Sequence, residues 1–220
     1  MRTSFGIALL VALFVVTSGA WAGIIPVTDS DFQTPTCGTA GSGATCGAGT
    51  TAWTVTGSAG QVAYSPTQYE VSDGSTQVGY ASAGGELSQI LGTNTLVANE
   101  TYTLTLLVDI FDSTKPFGGI VDLYAGSTLL GSATGSTPTP TGAWQTWTLT
   151  VDSATVNPAL IGNSSDPLEI VLTDAAGDAQ TGFDNVSLNA TADPTVPEPA
   201  VFALVGVGLL GLVTRRRFAK

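Results

Sequence analysis

Short runs in which apolar and polar residues alternate dominate the middle of the chain. Residues 101–106 place a tyrosine and two leucines on one face and three threonines on the other, and residues 146–151 repeat the pattern with tryptophan, leucine and valine. Successive side chains of a β-strand point to opposite faces, so this period of two predicts half-buried strands. The segments 120–124, 168–172 and 183–188 are interpreted in the same way.

No segment of helical period and convincing length lies between residues 23 and 193. Six further short strands are predicted, over residues 24–27, 53–56, 61–64, 77–81, 87–91 and 128–133. Segments rich in turn residues, such as 136–142 and 157–165, separate them. About ten short strands with polar outer faces predict an all-β fold, a two-sheet antiparallel sandwich of the jelly-roll kind.

The N-terminus has the features of an export signal rather than of a folded element. Arg2 precedes an apolar run over residues 7–16, and Ala20-Trp21-Ala22 offers small residues at the positions a signal peptidase requires. The run is too short to span a membrane, which leaves a buried N-terminal helix as the alternative. We expect a signal peptide over 1–22, a sandwich domain over 23–191, a linker over 192–199 and a C-terminal helix with a basic tail over 200–220.

The C-terminal apolar run, residues 200–213, is followed by the basic cluster Arg215, Arg216 and Arg217. Fourteen helical residues reach about 21 Å, which is short for a permanent transmembrane anchor. The basic cluster is expected to stay cytoplasmic, which leaves the domain outside the cell.

Pro197, Glu198 and Pro199 come directly before that run. Together with the short apolar helix and the basic end they resemble the PEP-CTERM sorting signal of Gram-negative bacteria. The resemblance implies recognition and cleavage by exosortase, a transient membrane attachment, and a place in the cell envelope or in a matrix of exopolysaccharide and biofilm. A plain C-terminal anchor is the alternative.

The charge of the domain narrows its possible partners. Lys115 is the only basic residue between positions 23 and 193, against sixteen carboxylates, so this part of the chain carries a net charge of about −15. Such a field repels nucleic acid and favours cations such as Ca²⁺. The alternative is that the acidic residues keep an exported protein soluble. The chain has no histidine, which excludes a Ser-His-Asp triad and histidine-ligated zinc.

The two cysteines, Cys37 and Cys46, lie nine positions apart in a loop of small residues. In an oxidising compartment we expect one disulfide that closes this loop, with two free thiols as the alternative.

Three short motifs carry a second resemblance, in the segments 29–33, 86–91 and 183–188 (DSDFQ, ELSQIL and FDNVSL). In this order they resemble the galactose-binding-like jelly rolls that include many carbohydrate-binding modules. The resemblance implies a structural Ca²⁺ held by Asp31 or Gln33 together with Asp184. Gln33 stands where that family often has glutamate, so one charge is lost. The alternative is that Asp184 only accepts backbone hydrogen bonds at a strand end.

Aromatic residues near loops are the candidates for stacking on sugar rings. Trp144 has the opposite parity to Trp147, and Tyr64, Tyr69 and Tyr80 are further candidates. For each of them the alternative is a cap on the hydrophobic core.

No catalytic residue is assigned, although Asp109 with Asp112, or Asp122 with Glu169, would be suitable carboxylate pairs for a glycosidase. Some jelly rolls that resemble this chain act as cyclases. The sequence therefore favours a non-catalytic exported surface or matrix protein that binds polysaccharide through a Ca²⁺-stabilised jelly roll. A purely structural envelope protein, or an enzyme of the glycosidase or cyclase kind, is the alternative.

Overall fold

A computed structural model describes residues 22–38, 45–47, 52–63, 76–110, 117–135, 144–175 and 180–193. Within these ranges the chain forms twelve β-strands and two short 3₁₀ turns, Ser153–Thr155 and Pro158–Leu160. The strands are β1 Ala22–Ile25, β2 Thr45–Cys46, β3 Thr54–Thr56, β4 Ala59–Ala63, β5 Gln77–Ser82, β6 Glu86–Thr95, β7 Glu100–Ile110, β8 Gly119–Ala125, β9 Thr128–Ala133, β10 Gln145–Asp152, β11 Pro167–Asp174 and β12 Gln180–Ala192.

The strands form two antiparallel sheets that enclose the core. The seven-stranded sheet has the order β10-β7-β12-β5-β4-β2, and β1 adds to β12. The five-stranded sheet has the order β3-β6-β11-β8-β9. Two such sheets built from neighbours distant in sequence are typical of a jelly-roll sandwich, so the predicted fold class is confirmed.

The threonine-rich alternation explains why β7 and β10 pair. Trp147 lies opposite Leu106, and Leu149 lies opposite Leu104, all four on the inner face and buried. The threonines between them face outward and are more exposed. A slip of one residue would turn the apolar side chains to solvent, which fixes the register.

Strand β12 joins the separate parts of the large sheet. One edge pairs with β7, while the other pairs with β5 through residues 180–183 and with β1 through residues 188–191. Between these two partners the ladder shifts register at Asn185, whose φ is +50°. Val186 fills the gap by donating its backbone N–H to the carbonyl of Ser30 at 2.9 Å.

The loop after β1 contributes to the core as much as a strand does. Phe32 is completely buried and stacks on Trp53, with the ring centroids 5.1 Å apart. Gly79 makes room for that ring, because a Cβ at this position would lie 2.6 Å from Phe32 Cε1. Residues 21–193 form one compact unit that contains this core, and we expect them to fold without the chain ends.

Every predicted strand has a counterpart in the structure, with differences at the ends. Strand β4 begins two residues before the predicted segment, and β1 is displaced two residues towards the N-terminus. The two-residue strand β2 was not predicted. No helix in the described part of the chain is long and apolar enough to cross a membrane. The predicted signal peptide, the sorting motif and the C-terminal helix with Arg215, Arg216 and Arg217 lie outside the described residues.

Candidate functional site

The outer face of the seven-stranded sheet carries two buried carboxylates. On β7, the side chains of Tyr102 to Val108 at every second position enter the core, so Asp109 faces outward. On β12, Phe183 enters the core, which turns Asp184 to the same outer face. Asp109 pairs with Gly182, so the two aspartates are diagonal neighbours on adjacent strands, with Cα atoms roughly 7–8 Å apart.

Asp109 is fully buried and only half satisfied. Its Oδ1 accepts the backbone N–H of Ile110 at 2.8 Å, while Oδ2 has no hydrogen-bond partner among the described residues. Burial raises the pKa of Asp109 to about 6, against the lowering effect of the Ile110 hydrogen bond. A carboxyl group of this kind gains or loses its proton close to neutral pH, and its second oxygen is left without a hydrogen-bond partner among the described residues.

Trp144 extends the same row on the next strand. Gln145 pairs with Val108, so continuing the register by one residue places Trp144 opposite Asp109 on the outer face. The indole Nε1 of Trp144 is buried and has no hydrogen-bond partner within the described chain. An unpaired donor and an unpaired acceptor therefore lie on neighbouring strands of one face.

Tyr80 closes the row on the other side of Asp109. It pairs with Gly182 on β12 and with Gly60 on β4, and its ring lies over Gly60, since Cε1 is 3.4 Å from where a Cβ of that glycine would be. Burial raises the pKa of the Tyr80 phenol, which therefore stays neutral. Gly182, between the tyrosine and the aspartate, has no side chain and is itself buried.

The structure describes two of the four aromatic residues predicted to stack on sugars. Trp144 and Tyr80 come together in this row, which we call the outer-face site: Trp144, Asp109, Gly182 and Tyr80, with Asp184 beside them. Tyr64 and Tyr69 lie outside the described residues. Sequence reasoning considered Asp109 only as half of a carboxylate pair and overlooked Gly182. The alternation of inward and outward positions along the strand was enough to place Trp144 on the outer face. No local sequence pattern indicates that β7 pairs with β12.

Asp122 and Glu169 also share a face, on the five-stranded sheet. Asp122 pairs with Val171 and Glu169 with Tyr124, so the two carboxylates are diagonal neighbours. Burial and then the charges of Asp122 and nearby glutamates raise the pKa of Tyr124. Both residues are partly exposed, although Asp122 Oδ1 is itself buried and has no hydrogen-bond partner among the described residues. Asp109 differs in that the whole residue is buried. Asp112 lies outside the described residues.

The residues expected to hold Ca²⁺ are occupied by hydrogen bonds. The amide Nε2 of Gln33 donates to the carbonyl of Asp31 at 2.7 Å and to that of Gln77 at 2.9 Å. Asp184 is buried, and its Oδ1 accepts the backbone N–H of Asn185 at 2.9 Å. In the described ranges no group of three or more His, Cys, Asp or Glu side chains is arranged to hold a metal. Because the side-chain nitrogen of Gln33 faces the carbonyl oxygens of Asp31 and Gln77, this arrangement does not fit a cation bound to those oxygens. Ca²⁺ binding stays a prediction.

The predicted disulfide is present between Cys37 and Cys46, whose Cα atoms are 5.3 Å apart. It ties the end of the loop that carries Phe32 to strand β2. Cys46 pairs with Gln61 on β4, so the bond attaches this loop to the edge of the large sheet.

Comparison with known proteins matches residues 24–189 to the family described as HpiC1-like, HpiC1 cyclase. The chain belongs to this HpiC1 cyclase-like family. Residues 195–217 match the PEP-CTERM protein-sorting motif, which confirms the resemblance seen at Pro197, Glu198 and Pro199. The chain is therefore an exported protein of the cell envelope with a sorting motif of exosortase substrates.

Similar structures support the fold of this family member. The Stig cyclase Fisc from Fischerella sp. TAU, in complex with (3Z)-3-(1-methyl-2-pyrrolidinylidene)-3H-indole, is 20% identical with a TM-score of 0.64, over 79% of this chain and all of that chain. A cyclase from Fischerella sp. TAU in complex with 4-(1H-indol-3-yl)butan-2-one is also 20% identical, with a TM-score of 0.63, over 79% of this chain and all of that chain.

A carbohydrate-binding jelly roll is more distant. The CBM22-1 xylan-binding domain from Paenibacillus barcinonensis Xyn10C is 12% identical with a TM-score of 0.44, over 68% of this chain and 91% of that chain. No curated protein matches the sequence significantly.

Proposed function

We propose that this exported protein binds polysaccharide at the cell surface through the outer-face site of its large sheet. Signal peptidase would remove residues 1–22, and exosortase would cleave near Pro197, Glu198 and Pro199, leaving the sandwich domain outside the cell. The observation that carries the proposal is the pair of buried, unpartnered atoms, Asp109 Oδ2 and Trp144 Nε1.

A hydroxyl group can satisfy both atoms at once. It donates one hydrogen bond, which the Asp109 carboxylate accepts, and it accepts one, which the Trp144 indole N–H donates. Leaving buried polar atoms unpaired costs about 1–3 kcal/mol each, so a ligand that pairs both recovers that free energy. Sugars supply hydroxyls in dense array.

The aromatic rings beside these atoms favour a sugar over a simple alcohol. The faces of Trp144 and Tyr80 offer apolar surface of the kind that packs against the C–H faces of pyranose rings. Neither unpartnered atom contacts solvent in the unliganded chain, so ligand entry must displace the groups that cover them.

Retardation of residues 23–193 in native gels that contain soluble polysaccharides, including the exopolysaccharide of the producing cell, tests the proposal. Wild-type protein should be retarded by at least one polysaccharide, and Tyr80→Ala should weaken that retardation about tenfold through lost stacking. Tyr124→Ala is the matched control, because this tyrosine is partly buried on the outer face of the other sheet. If no polysaccharide retards the protein, a purely structural envelope role becomes the better account.

Acid-catalysed cyclisation is a second candidate, favoured by the pKa of about 6 at Asp109 and by the family. A carboxylic acid with this pKa is partly protonated near neutral pH and could donate a proton through its free oxygen. The faces of Trp144 and Tyr80 would then stabilise a cationic intermediate.

Asp109→Asn separates the two candidates. The carboxamide oxygen keeps the hydrogen bond from Ile110, and the NH₂ group that replaces Oδ2 can donate to a sugar hydroxyl instead of accepting from it, so polysaccharide binding should persist within about tenfold. Proton donation would be abolished. The Fischerella cyclase binds 4-(1H-indol-3-yl)butan-2-one. If this protein binds the same compound and no polysaccharide retards it, the cyclase hypothesis is favoured.

A further inference from the structure

The loop that opens the domain is held against the sheet by three glutamine side chains. Gln61 on β4 and Gln77 on β5 are almost completely buried on the inner face, and Gln33 lies in the loop itself. Their amide nitrogens donate six hydrogen bonds, to the carbonyls of Asp31 and Gln77 (Gln33), of Phe32 and Pro35 (Gln77) and of Thr34 together with Asp29 Oδ2 (Gln61). We call this set the glutamine clamp.

The loop has an unusual backbone conformation. Asp29 and Phe32 both have positive φ, +51° and +56°, which few residues other than glycine adopt without compensation. The oxygens of five backbone carbonyls and one carboxylate accept from the clamp, and such oxygens are also the ligands that Ca²⁺ prefers. Here N–H groups bind them instead.

We propose that the glutamine clamp replaces a structural cation, so that this domain folds and stays folded without calcium. The carbonyl oxygens accept hydrogen bonds of ordinary length, since the distances from the clamp nitrogens to the carbonyl oxygens of Asp31 and Phe32 are 2.7 and 3.0 Å. A cation at the same oxygens would face the positive hydrogens of the amide groups and would have to displace them. Gln33 is central, because its single amide bridges the loop and strand β5.

The amide oxygens of Gln33 and Gln77 also face donors, which fixes the direction in which these two amides face. Gln77 Oε1 accepts the backbone N–H of Cys37, and Gln33 Oε1 faces the N–H and hydroxyl of Thr76 at 3.4 and 3.5 Å. A flipped amide would place N–H groups against these donors. The nitrogens therefore face the carbonyls, where a ligated cation would require oxygens.

Thermal unfolding of residues 23–193 with the disulfide intact, in calcium and in EGTA, tests the proposal. Wild-type melting temperatures should agree in the two conditions. If the domain held a structural calcium site, calcium at about 100 times the dissociation constant of that site would raise the melting temperature by roughly 5–10 °C for a domain of this size. A rise of that kind, lost in Asp184→Asn, would overturn the proposal and support the predicted calcium site.

Gln33→Glu tests the same idea from the opposite direction. The carboxylate cannot donate to Asp31 and Gln77, so the variant should melt earlier than wild type in EGTA and should recover in calcium. Gln89→Glu is the matched control. Gln89 is buried and binds Thr28 at both amide atoms at 2.8 Å but contacts no clamp oxygen, so its variant should lose stability that calcium does not restore.

A Gln33→Glu domain that melts at the same reduced temperature in calcium and in EGTA would contradict the claim that the clamp stands in for a cation. If Gln33→Glu does not fold in either condition, Gln77→Glu decides. Its carboxylate still accepts the N–H of Cys37 and exposes the carbonyls of Phe32 and Pro35 to a cation, so calcium should stabilise it, and the absence of that effect would overturn the proposal.

Discussion

Asp109 should make the folded domain less stable as the pH rises from about 4 to about 6. Burial raises its pKa from 3.8 to about 6 in the folded chain, whereas the unfolded chain has the ordinary value. Between these values the folded state holds a proton that the unfolded state has lost. The stabilising effect is therefore complete below the ordinary pKa and is lost as the pH passes through the folded pKa.

The magnitude follows from the difference between the two pKa values. A change from 3.8 to about 6 corresponds to about 3 kcal/mol of unfolding free energy. For a domain of this size that equals a fall of roughly 6–12 °C in melting temperature. Because Asp109 is fully buried, solvent screening reduces this figure little.

Asp109→Asn removes the titration and keeps the shape. Its carboxamide oxygen can still accept from Ile110, and the unpartnered NH₂ adds a cost that does not depend on pH. Urea unfolding followed by tryptophan fluorescence at several pH values gives the free energy of both proteins. Wild type minus variant should fall by about 3 kcal/mol between pH 3 and pH 7. Parallel curves for the two proteins would refute the assignment of a raised pKa to Asp109.

Two further predictions concern the packing of the opening loop. Gly79→Ala should destabilise the domain by about 1–3 kcal/mol, because the new Cβ would lie 2.6 Å from the Phe32 ring; unchanged urea unfolding would show that the loop shifts freely. Replacing Cys37 and Cys46 together by serine should cost about 2–3 kcal/mol, since the unfolded chain gains freedom, and an unaltered melting temperature under oxidising conditions would count against that role.

The fold was predictable where one face of a strand is apolar. In β7 and β10 the leucines and threonines alternate, so the inner face can be read from the sequence, and the pairing of Leu104 with Leu149 confirms it. Strand β2 has no such pattern. Its two residues, Thr45 and Cys46, form a strand only because they pair with β4, and no local signal indicates that partner.

The candidate site was predictable only in part, for a related reason. Parity placed Trp144 on the outer face, because Trp147 belongs to the core. The neighbours of Asp109 come from β12 and β10, more than thirty residues away in the chain, so its burial and its raised pKa are consequences of tertiary pairing. The glutamine clamp is likewise invisible in sequence, since Gln33 and Gln77 are joined by long-range contacts.

Calorimetric titration of residues 23–193 with a retarding polysaccharide, comparing wild type with Trp144→Phe, tests the central claim most directly. Phenylalanine keeps an aromatic face and removes the indole N–H that lacks a partner. If a sugar hydroxyl joins Trp144 to Asp109, the variant should bind about tenfold more weakly, the equivalent of one hydrogen bond. Equal affinity in the two proteins would contradict the proposed site.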